Sequence, residues 1–312
     1  MKPQLSTKTA SVVPVKKGIA FYLKRDWQLY LLLLIPMLFI VIFKFLPMMG
    51  LSIAFLDYKP IKGFAGSEFI GFDVFKDIFT SKDFYKALKN TLVLNFLDLL
   101  IGFPAPIILA ILLNEIRIKW FKKITQTVLY LPHFLSAVIV AGLCYQLFAS
   151  HSGSINILLG KNIPFLEEEY HWIATYVLSG VWQGMGWGTI IYLAAITGID
   201  GSLYEAATVD GAGRWRKIWN ITLPCIKGTI VVMLIMQLGR IMGSSFERPY
   251  TLSNPLVQNV SDVIATFVYR EGLSNRHYNV ATAVGLFQSL VGLVLVLASD
   301  KFAKVLGEDG IV

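Results

Sequence analysis

The chain has 312 residues, of which 55% are hydrophobic and only 15% are charged. Soluble domains contain about 45–50% apolar and about 25% charged residues, so this composition indicates a protein of the lipid bilayer. The formal net charge of +8 does not indicate nucleic-acid binding, because the basic residues lie at the ends of apolar runs and form no basic-aromatic face.

Residues 1–24 are predicted to form a polar, basic lead on the cytoplasmic side. Its basic residues are spread along the segment and no clear cleavage site follows, unlike a signal peptide. The apolar run after Trp27 is therefore expected to be retained as an anchor. Residues 25–312 are expected to form a single membrane domain, with core spans between residues 88 and 305.

Six apolar segments are long enough to cross a bilayer, which requires about 20 residues. Together they predict an all-α membrane protein with six transmembrane helices. The segments cover about residues 27–53, 88–113, 124–148, 172–196, 225–242 and 280–302.

The orientation follows from lysine and arginine in short loops, which favour the cytoplasmic side. Basic residues cluster between the second and third segments and between the fourth and fifth: Arg117, Lys119, Lys122 and Lys123, then Arg214, Arg216, Lys217 and Lys227. Both connections are predicted inside, which also places the N-terminus and the C-terminus in the cytoplasm. Residues 56–87 carry five lysines although they are predicted outside, where five acidic residues accompany them.

A polar loop, residues 199–225, connects the fourth and fifth segments. It holds Glu205-Ala206-Ala207, then three residues, Gly211, nine residues and Ile221-x-Leu223-Pro224. The two alanines permit close approach by a partner surface, and Glu205 near a helix start complements the positive end of the helix dipole. Asp210 and Gly211 are typical of a turn. We predict two short helices that form one rigid knob attached to both spans.

This spacing resembles the cytoplasmic coupling loop of ABC importer permeases, in which two short helices dock into a cleft on the ATPase subunit. The chain has no GxxxxGK[ST] sequence, so ATP and Mg are expected on partner ATPase subunits, with no cofactor, no catalytic residue and no enzyme activity here. The resemblance implies the following ATPase-coupling residues: Glu205, Ala206, Ala207, Asp210, Gly211, Ala212, Arg214, Ile221, Leu223 and Pro224.

Further segments resemble carbohydrate permeases of the maltose type, in the branch for oligosaccharides and polysaccharide fragments. They are residues 45–55 with Asp57-Tyr58, 69–72 with Phe75, 90–92, 102–107, 112–115 and 131–132. The match covers about residues 27–305. It implies a type I importer in the bacterial cytoplasmic membrane: a heterodimer of two homologous permeases, two ATPase subunits, an extracellular solute-binding protein and a carbohydrate substrate.

In this family the spans that flank the coupling loop line the translocation path. The resemblance implies these path residues: Trp182, Gln183, Gly184 and Trp187 in the fourth span, and Gln237, Arg240 and Ser244 after Pro224. Small residues and tryptophans also serve as packing positions and interfacial anchors. Arg240 either lines a cavity, which would favour an acidic sugar, or extends to the outer surface. Asp98 is expected to pair across the bundle with a partner that the sequence does not identify.

Three alternatives remain open. An ABC permease for a non-sugar solute, such as a polyamine or an ion, would carry the same loop. A proton-coupled carrier independent of ATP would need ionisable groups within the membrane, for which Asp98 and Arg240 are candidates. A membrane enzyme is disfavoured because no paired acids or His/Asp cluster occur at workable spacing. The four histidines are scattered, so no metal site is expected.

Overall fold

The structure is a computed structural model that describes residues 19–243, residues 245–305 and residue 307. The chain divides into two compact units, with the boundary after Ser52. Most of the predicted cytoplasmic lead, residues 1–24, and the predicted path residue Ser244 lie outside the described residues.

The first unit is a run of helical turns that corresponds to the first predicted span. None of the described residues in its longest helix is buried. A helix that is apolar on all sides has to be covered by lipid or by another protein. Its elements are α1 (Ile19–Arg25), α2 (Trp27–Ile40), the π turn Val41–Phe45, α3 (Leu46–Met48) and the 3₁₀ turn Met49–Phe55, which leads into the second unit.

The described residues of the second unit are almost wholly helical, with one short antiparallel strand pair in which Leu56 pairs with Phe69 and Asp57 with Glu68. Its elements are β1 (Leu56–Asp57), β2 (Glu68–Phe69), α4 (Asp73–Thr80), α5 (Lys82–Leu97), α6 (Pro104–Glu115), α7 (Lys119–Tyr130), α8 (Ala137–Phe148), α9 (Ser154–Leu159), α10 (Glu169–Thr197), α11 (Gly201–Val209), α12 (Arg214–Lys217), α13 (Leu223–Cys225), α14 (Lys227–Gly239), α15 (Glu247–Leu252), α16 (Gln258–Ser261), α17 (Ile264–Tyr269) and α18 (Tyr278–Val305). Single helical turns link several of them: the π turns Asp98–Gly102, Ile218–Thr222 and Arg270–Ser274, and the 3₁₀ turn Leu131–Phe134.

Three helices in the described part of the chain are long and apolar enough to cross a membrane, namely Trp27–Phe55, Lys82–Glu115 and Tyr278–Val305. They correspond to the first, second and sixth predicted spans. Two bent helix pairs raise the number of candidate spans to five if each pair is one span. The fourth predicted span is the continuous helix α10, whose 29 residues extend about 44 Å. Its glycines, glutamine and tryptophans make it less apolar than those three.

The third predicted span, residues 124–148, is not a single straight helix. The helix axis bends by 102° between the two segments on either side of Leu135. Pro132 lies in the 3₁₀ turn that ends the first segment, and the Ser136 hydroxyl accepts a hydrogen bond from the Ile139 N–H at 3.3 Å, which caps the second. Pro132 and Ser136 are the sequence signals of this break, and the apolar residues on both sides of them led to the prediction of one continuous span.

The π turn Asp98–Gly102 separates α5 from α6 immediately before Pro104. A proline has no N–H, and its ring crowds the carbonyl four residues earlier, so the helix cannot continue there in regular α geometry. π turns inside helices often occur at functional sites. This π turn contains Asp98, the charged residue whose partner the sequence does not identify.

The core of the second unit consists of three apolar clusters. One joins α10 to α8 and α15 and is built around Trp172, whose indole N–H donates to the Leu252 carbonyl at 2.8 Å. A second surrounds Phe84 between α4, α17 and α18. The third, which we call the inner cluster, consists of Ala110, Tyr192, Leu193, Ile196 and Ile226.

Candidate coupling loop and transport cavity

The first helix of the predicted coupling loop, α11, begins at a well-defined cap. The Asp200 carboxylate accepts a hydrogen bond from the Ser202 backbone N–H at 2.9 Å. This bond satisfies one of the free N–H groups at the helix start. It also lowers the pKa of the Asp200 carboxyl below its ordinary value, because the hydrogen bond favours the ionised form. The predicted helix over the Glu205-Ala206-Ala207 segment is confirmed.

The turn after α11 depends on the backbone of Gly211, which has a φ of +74°. The Gly211 N–H donates to the Thr208 carbonyl at 3.1 Å, and the Ala212 N–H donates to the Ala207 carbonyl at 2.8 Å. A side chain at a left-handed position would be strained, which explains why glycine stands here. A Cβ at Gly211 would meet nothing within 4 Å, so only the backbone conformation selects this residue.

Side chains tie the two helical parts of the loop together. The Tyr204 hydroxyl lies 2.9 Å from the Thr222 hydroxyl, and the Lys217 ammonium donates to the Thr208 hydroxyl at 2.6 Å. A helical segment runs from Arg214 to Cys225, and α14 continues beyond it after a bend of 61°. The loop is thus braced across its turn and joined directly to the helix that follows.

The loop exposes several large apolar side chains among its polar and charged residues. Val209 and Trp215 are 88% and 76% exposed, and Leu203 and Trp219 are exposed as well. A group of exposed large apolar side chains beside charged ones indicates an interaction site. Six of the sequence-predicted coupling residues are exposed: Glu205, Ala206, Asp210, Gly211, Arg214 and Pro224. The other four are half-buried: Ala207, Ala212, Ile221 and Leu223.

The loop rests on the inner cluster, which anchors it to the membrane helices. Ile226, at the bend after the loop, is only 1% exposed and packs with residues from α6 and α10. Leu223 from the loop packs against the same cluster. Protein interiors are close-packed and transmit strain. A displacement of the loop would therefore be passed to α6, α10 and α14 together.

A cavity of about 300 Å³ lies between α6, α10 and α14, within the same unit. Three of the sequence-predicted path residues line it: Gly184 and Trp187 from α10, and Gln237 from α14. The structure thus brings these three together around one space.

The remaining predicted path residues lie elsewhere. Trp182 lines a separate, mainly apolar cavity of about 440 Å³. The Gln183 amide donates to the Leu135 carbonyl at 2.8 Å, which ties α10 to the break in the third predicted span. Arg240 is exposed at the C-terminal end of α14. These positions do not share the cavity of Trp187.

One wall of the cavity is a stacked pair of rings that sequence analysis missed. The His133 and Trp187 rings lie parallel at a centroid distance of 4.6 Å, with an interplanar angle of 6°. Gly186 permits this approach, because a Cβ there would collide with the Leu129 carbonyl. In the sequence, His133 is one of four isolated histidines, and Trp187 lies 54 positions later in the chain. Nothing in the sequence indicates that the two rings are in contact.

The cavity also holds the partner of Asp98. Arg248, on the short helix α15, donates from Nη2 to the Asp98 carboxylate. The guanidinium carbon lies 4.0 Å from the centroid of the Tyr176 ring, a cation–π distance. A Cβ at Gly180 would collide with the guanidinium, so this glycine provides the space that Arg248 occupies. Arg248 lies outside every predicted span, which is why the sequence did not indicate it.

The family follows from comparison with known proteins. The family model described as "binding-protein-dependent transport system inner membrane component" matches residues 102–307. The chain is 46% identical over 300 residues to the polygalacturonan/rhamnogalacturonan transport system permease protein YteP of Bacillus subtilis, covering 95% of this chain and 94% of the relative.

Two solved structures are similar over nearly the whole chain. The first is a bacterial ABC transporter involved in the import of the acidic polysaccharide alginate, with 42% identity, a TM-score of 0.85, and coverage of 92% of this chain and 98% of that chain. The second is a bacterial alginate ABC transporter in complex with an alginate pentasaccharide-bound periplasmic protein, with 41% identity, a TM-score of 0.86, and coverage of 94% and 99%. The chain therefore belongs to the binding-protein-dependent transport system inner membrane component family, as a multi-pass permease subunit of an ABC importer that is not itself the ATPase.

Proposed function

We propose that this permease moves an oligosaccharide or a polysaccharide fragment across the bacterial cytoplasmic membrane. The observation that carries the proposal is the cavity in which the stacked His133 and Trp187 rings adjoin Gln237 and the Asp98–Arg248 pair. Sugars present C–H faces to aromatic rings and hydroxyl groups to polar side chains, and both kinds of partner are present. The similarity to permeases whose names specify polygalacturonan and alginate supports the same substrate class.

The proposed topology has six spans with both chain ends in the cytoplasm. The two bent helix pairs serve as the third and fifth spans, and α10 serves as the fourth. This arrangement places the basic cluster around Lys122 and the loop at residues 199–225 on the same, inner side, as the distribution of lysine and arginine favours.

The loop at residues 199–225 docks on an ATPase subunit in this proposal. The exposed side chains of Trp215, Trp219 and Glu205 supply the apolar and charged contacts. ATP and Mg bind to the ATPase, and its closure moves the loop. The inner cluster then passes that movement to α10, which carries Trp187 in the cavity wall. An extracellular solute-binding protein delivers the substrate in this proposal, which the similar alginate transporter in complex with its periplasmic protein supports. A second homologous permease and two ATPase subunits complete the transporter, as the family resemblance implies.

Gly184, Trp187 and Gln237 form the part of the path for which the cavity gives support. Trp182, Gln183, Arg240 and Ser244 stay predictions from the family resemblance.

The experiment is ATP-dependent uptake of a labelled oligogalacturonide into proteoliposomes that contain the complete transporter with its loaded binding protein. Replacing Trp187 with Ala removes one ring of the stack and is expected to reduce uptake and sugar-stimulated ATP hydrolysis more than basal hydrolysis. Trp120→Ala is the matched control, because Trp120 is an exposed tryptophan on α7 that does not line the cavity. Equal loss in both variants would contradict the proposed path. Uptake by the chain in the absence of any ATPase would favour the alternative of an ATP-independent carrier.

A further inference from the structure

The guanidinium of Arg248 has more donors than the protein uses. Arginine presents five N–H donors in a fixed planar fork and has no acceptor. The described residues supply the Asp98 carboxylate as the partner of Nη2, while Nε is buried with no hydrogen-bond partner. Because Nε is buried, a ligand in the cavity can meet this guanidinium only at its two Nη groups, which carry four of the five donors.

The rest of the cavity shows the same excess of donors. Trp187 contributes an indole N–H, which can only donate, and Gln237 and His133 can donate as well as accept. The ionised Asp98 carboxylate is the side chain in the lining that accepts hydrogen bonds and cannot donate them, and it is already paired with Arg248. A ligand that complements this lining therefore carries more acceptors than donors, which describes a carboxylate better than a hydroxyl.

The position of Arg248 is fixed before any ligand arrives. Tyr176 supports one face of the guanidinium, Gly180 leaves the space for it, and Asp98 holds one edge. The side chains of Arg248 and Asp98 are 18% and 21% exposed, so the pair is largely desolvated but still accessible. A preorganised guanidinium in a water-poor site is the preferred partner for a carboxylate, since it can donate two parallel hydrogen bonds.

We propose that Arg248 binds the carboxylate of an acidic sugar in this cavity, with Asp98 holding and neutralising the guanidinium while the cavity is empty. The inference rests on the proposed carbohydrate function and narrows its substrate class to uronate-containing oligosaccharides. It assigns to Arg248 the role that the sequence suggested for Arg240, which is exposed at the end of α14 and is not part of this cavity.

The test compares two sugars of equal length in proteoliposomes with the complete transporter. One is an oligogalacturonide, and the other is its carboxyl-reduced form, in which each carboxylate is replaced by CH₂OH. Each is presented on saturated binding protein. The variant is Asp98→Asn with Arg248→Gln, which removes both charges together and avoids an unpaired buried charge. The acidic-to-neutral uptake ratio is expected to fall by about tenfold or more, as for the loss of a hydrogen bond to a charged group.

The matched control is Asp262→Asn with Arg270→Gln. This pair is also an ion pair, with both guanidinium Nη atoms 3.0 Å from the carboxylate oxygens, but it lies outside the cavity. Its removal should leave the acidic-to-neutral ratio unchanged.

The possible results separate the inference from the proposed function. A variant that loses uptake of both sugars equally and melts at a lower temperature would make the Asp98–Arg248 pair a structural clasp, and an unchanged ratio would likewise overturn the inference. If the wild-type transporter moves only the acidic sugar, uptake of that sugar by the variant decides the question. Loss of the uptake supports the inference, and retention overturns it. If the wild-type complex moves neither sugar, the proposed carbohydrate function itself fails.

Discussion

The substitution Gly211→Ala tests how the coupling loop is built. Gly211 has a φ of +74°, and a Cβ at this position would meet nothing within 4 Å. The cost of the added methyl group is therefore conformational rather than steric, and a left-handed L-residue costs about 1–2 kcal/mol. We expect the Ala variant to favour another turn conformation when free, so that docking on the ATPase has to restore the native one. Binding should weaken by about 5–30-fold.

The assay is binding of the purified ATPase to the permease complex in detergent, together with ATP-dependent uptake. Gly213→Ala is the matched control. Gly213 is two residues away, has a φ of −71° and is equally open, so Ala is expected to be tolerated there. Gly211→Asn is the second control, because asparagine is larger than alanine but tolerates the left-handed region better.

The expected order of ATPase binding is Gly, then Asn, then Ala at position 211. If Asn binds more weakly than Ala, the side chain clashes with the docked partner and backbone strain is not the cause. If the wild-type protein and both variants at position 211 bind the ATPase equally, the conformation of this turn has no part in coupling.

Two further predictions concern the residues under the loop and beside the cavity. Ile226→Ala removes a side chain that is 1% exposed in the inner cluster. It should destabilise the complex by about 2–5 kcal/mol and uncouple ATP hydrolysis from uptake, whereas Ile191→Ala, at an exposed position on α10, should do neither. Gly180→Ala should displace the Arg248 guanidinium and lower both the melting temperature and the acidic-to-neutral uptake ratio, while Gly142→Ala, which has open space around its Cβ, should leave both unchanged.

The sequence predicted those features that depend on local pattern. Long apolar runs located the membrane-length helices that begin near Trp27, Lys82 and Tyr278. The spacing from Glu205 to Pro224 located two helical segments around a turn at Gly211, and the structure has them. Such features follow from residues close together in the chain.

Features that depend on distant contacts were not predictable. The Asp98–Arg248 pair joins residues 150 positions apart, and Arg248 lies beyond the predicted spans. The His133–Trp187 stack depends on the bend at Leu135, and the sequence does not show which residue of α10 then lies against His133. In both cases a glycine on α10 allows the close approach, and a glycine in an apolar helix does not reveal what packs against it.

The measurement that tests the central claim most directly is purification of this chain from its native membrane in mild detergent, beside the Gly211→Ala variant. We expect the wild-type chain to co-purify with a second permease, an ATPase and an extracellular solute-binding protein, and the variant to retain the second permease but to recover less ATPase. Recovery of the chain alone, active in uptake without ATP, would show that transport does not depend on an ATPase docked at the coupling loop.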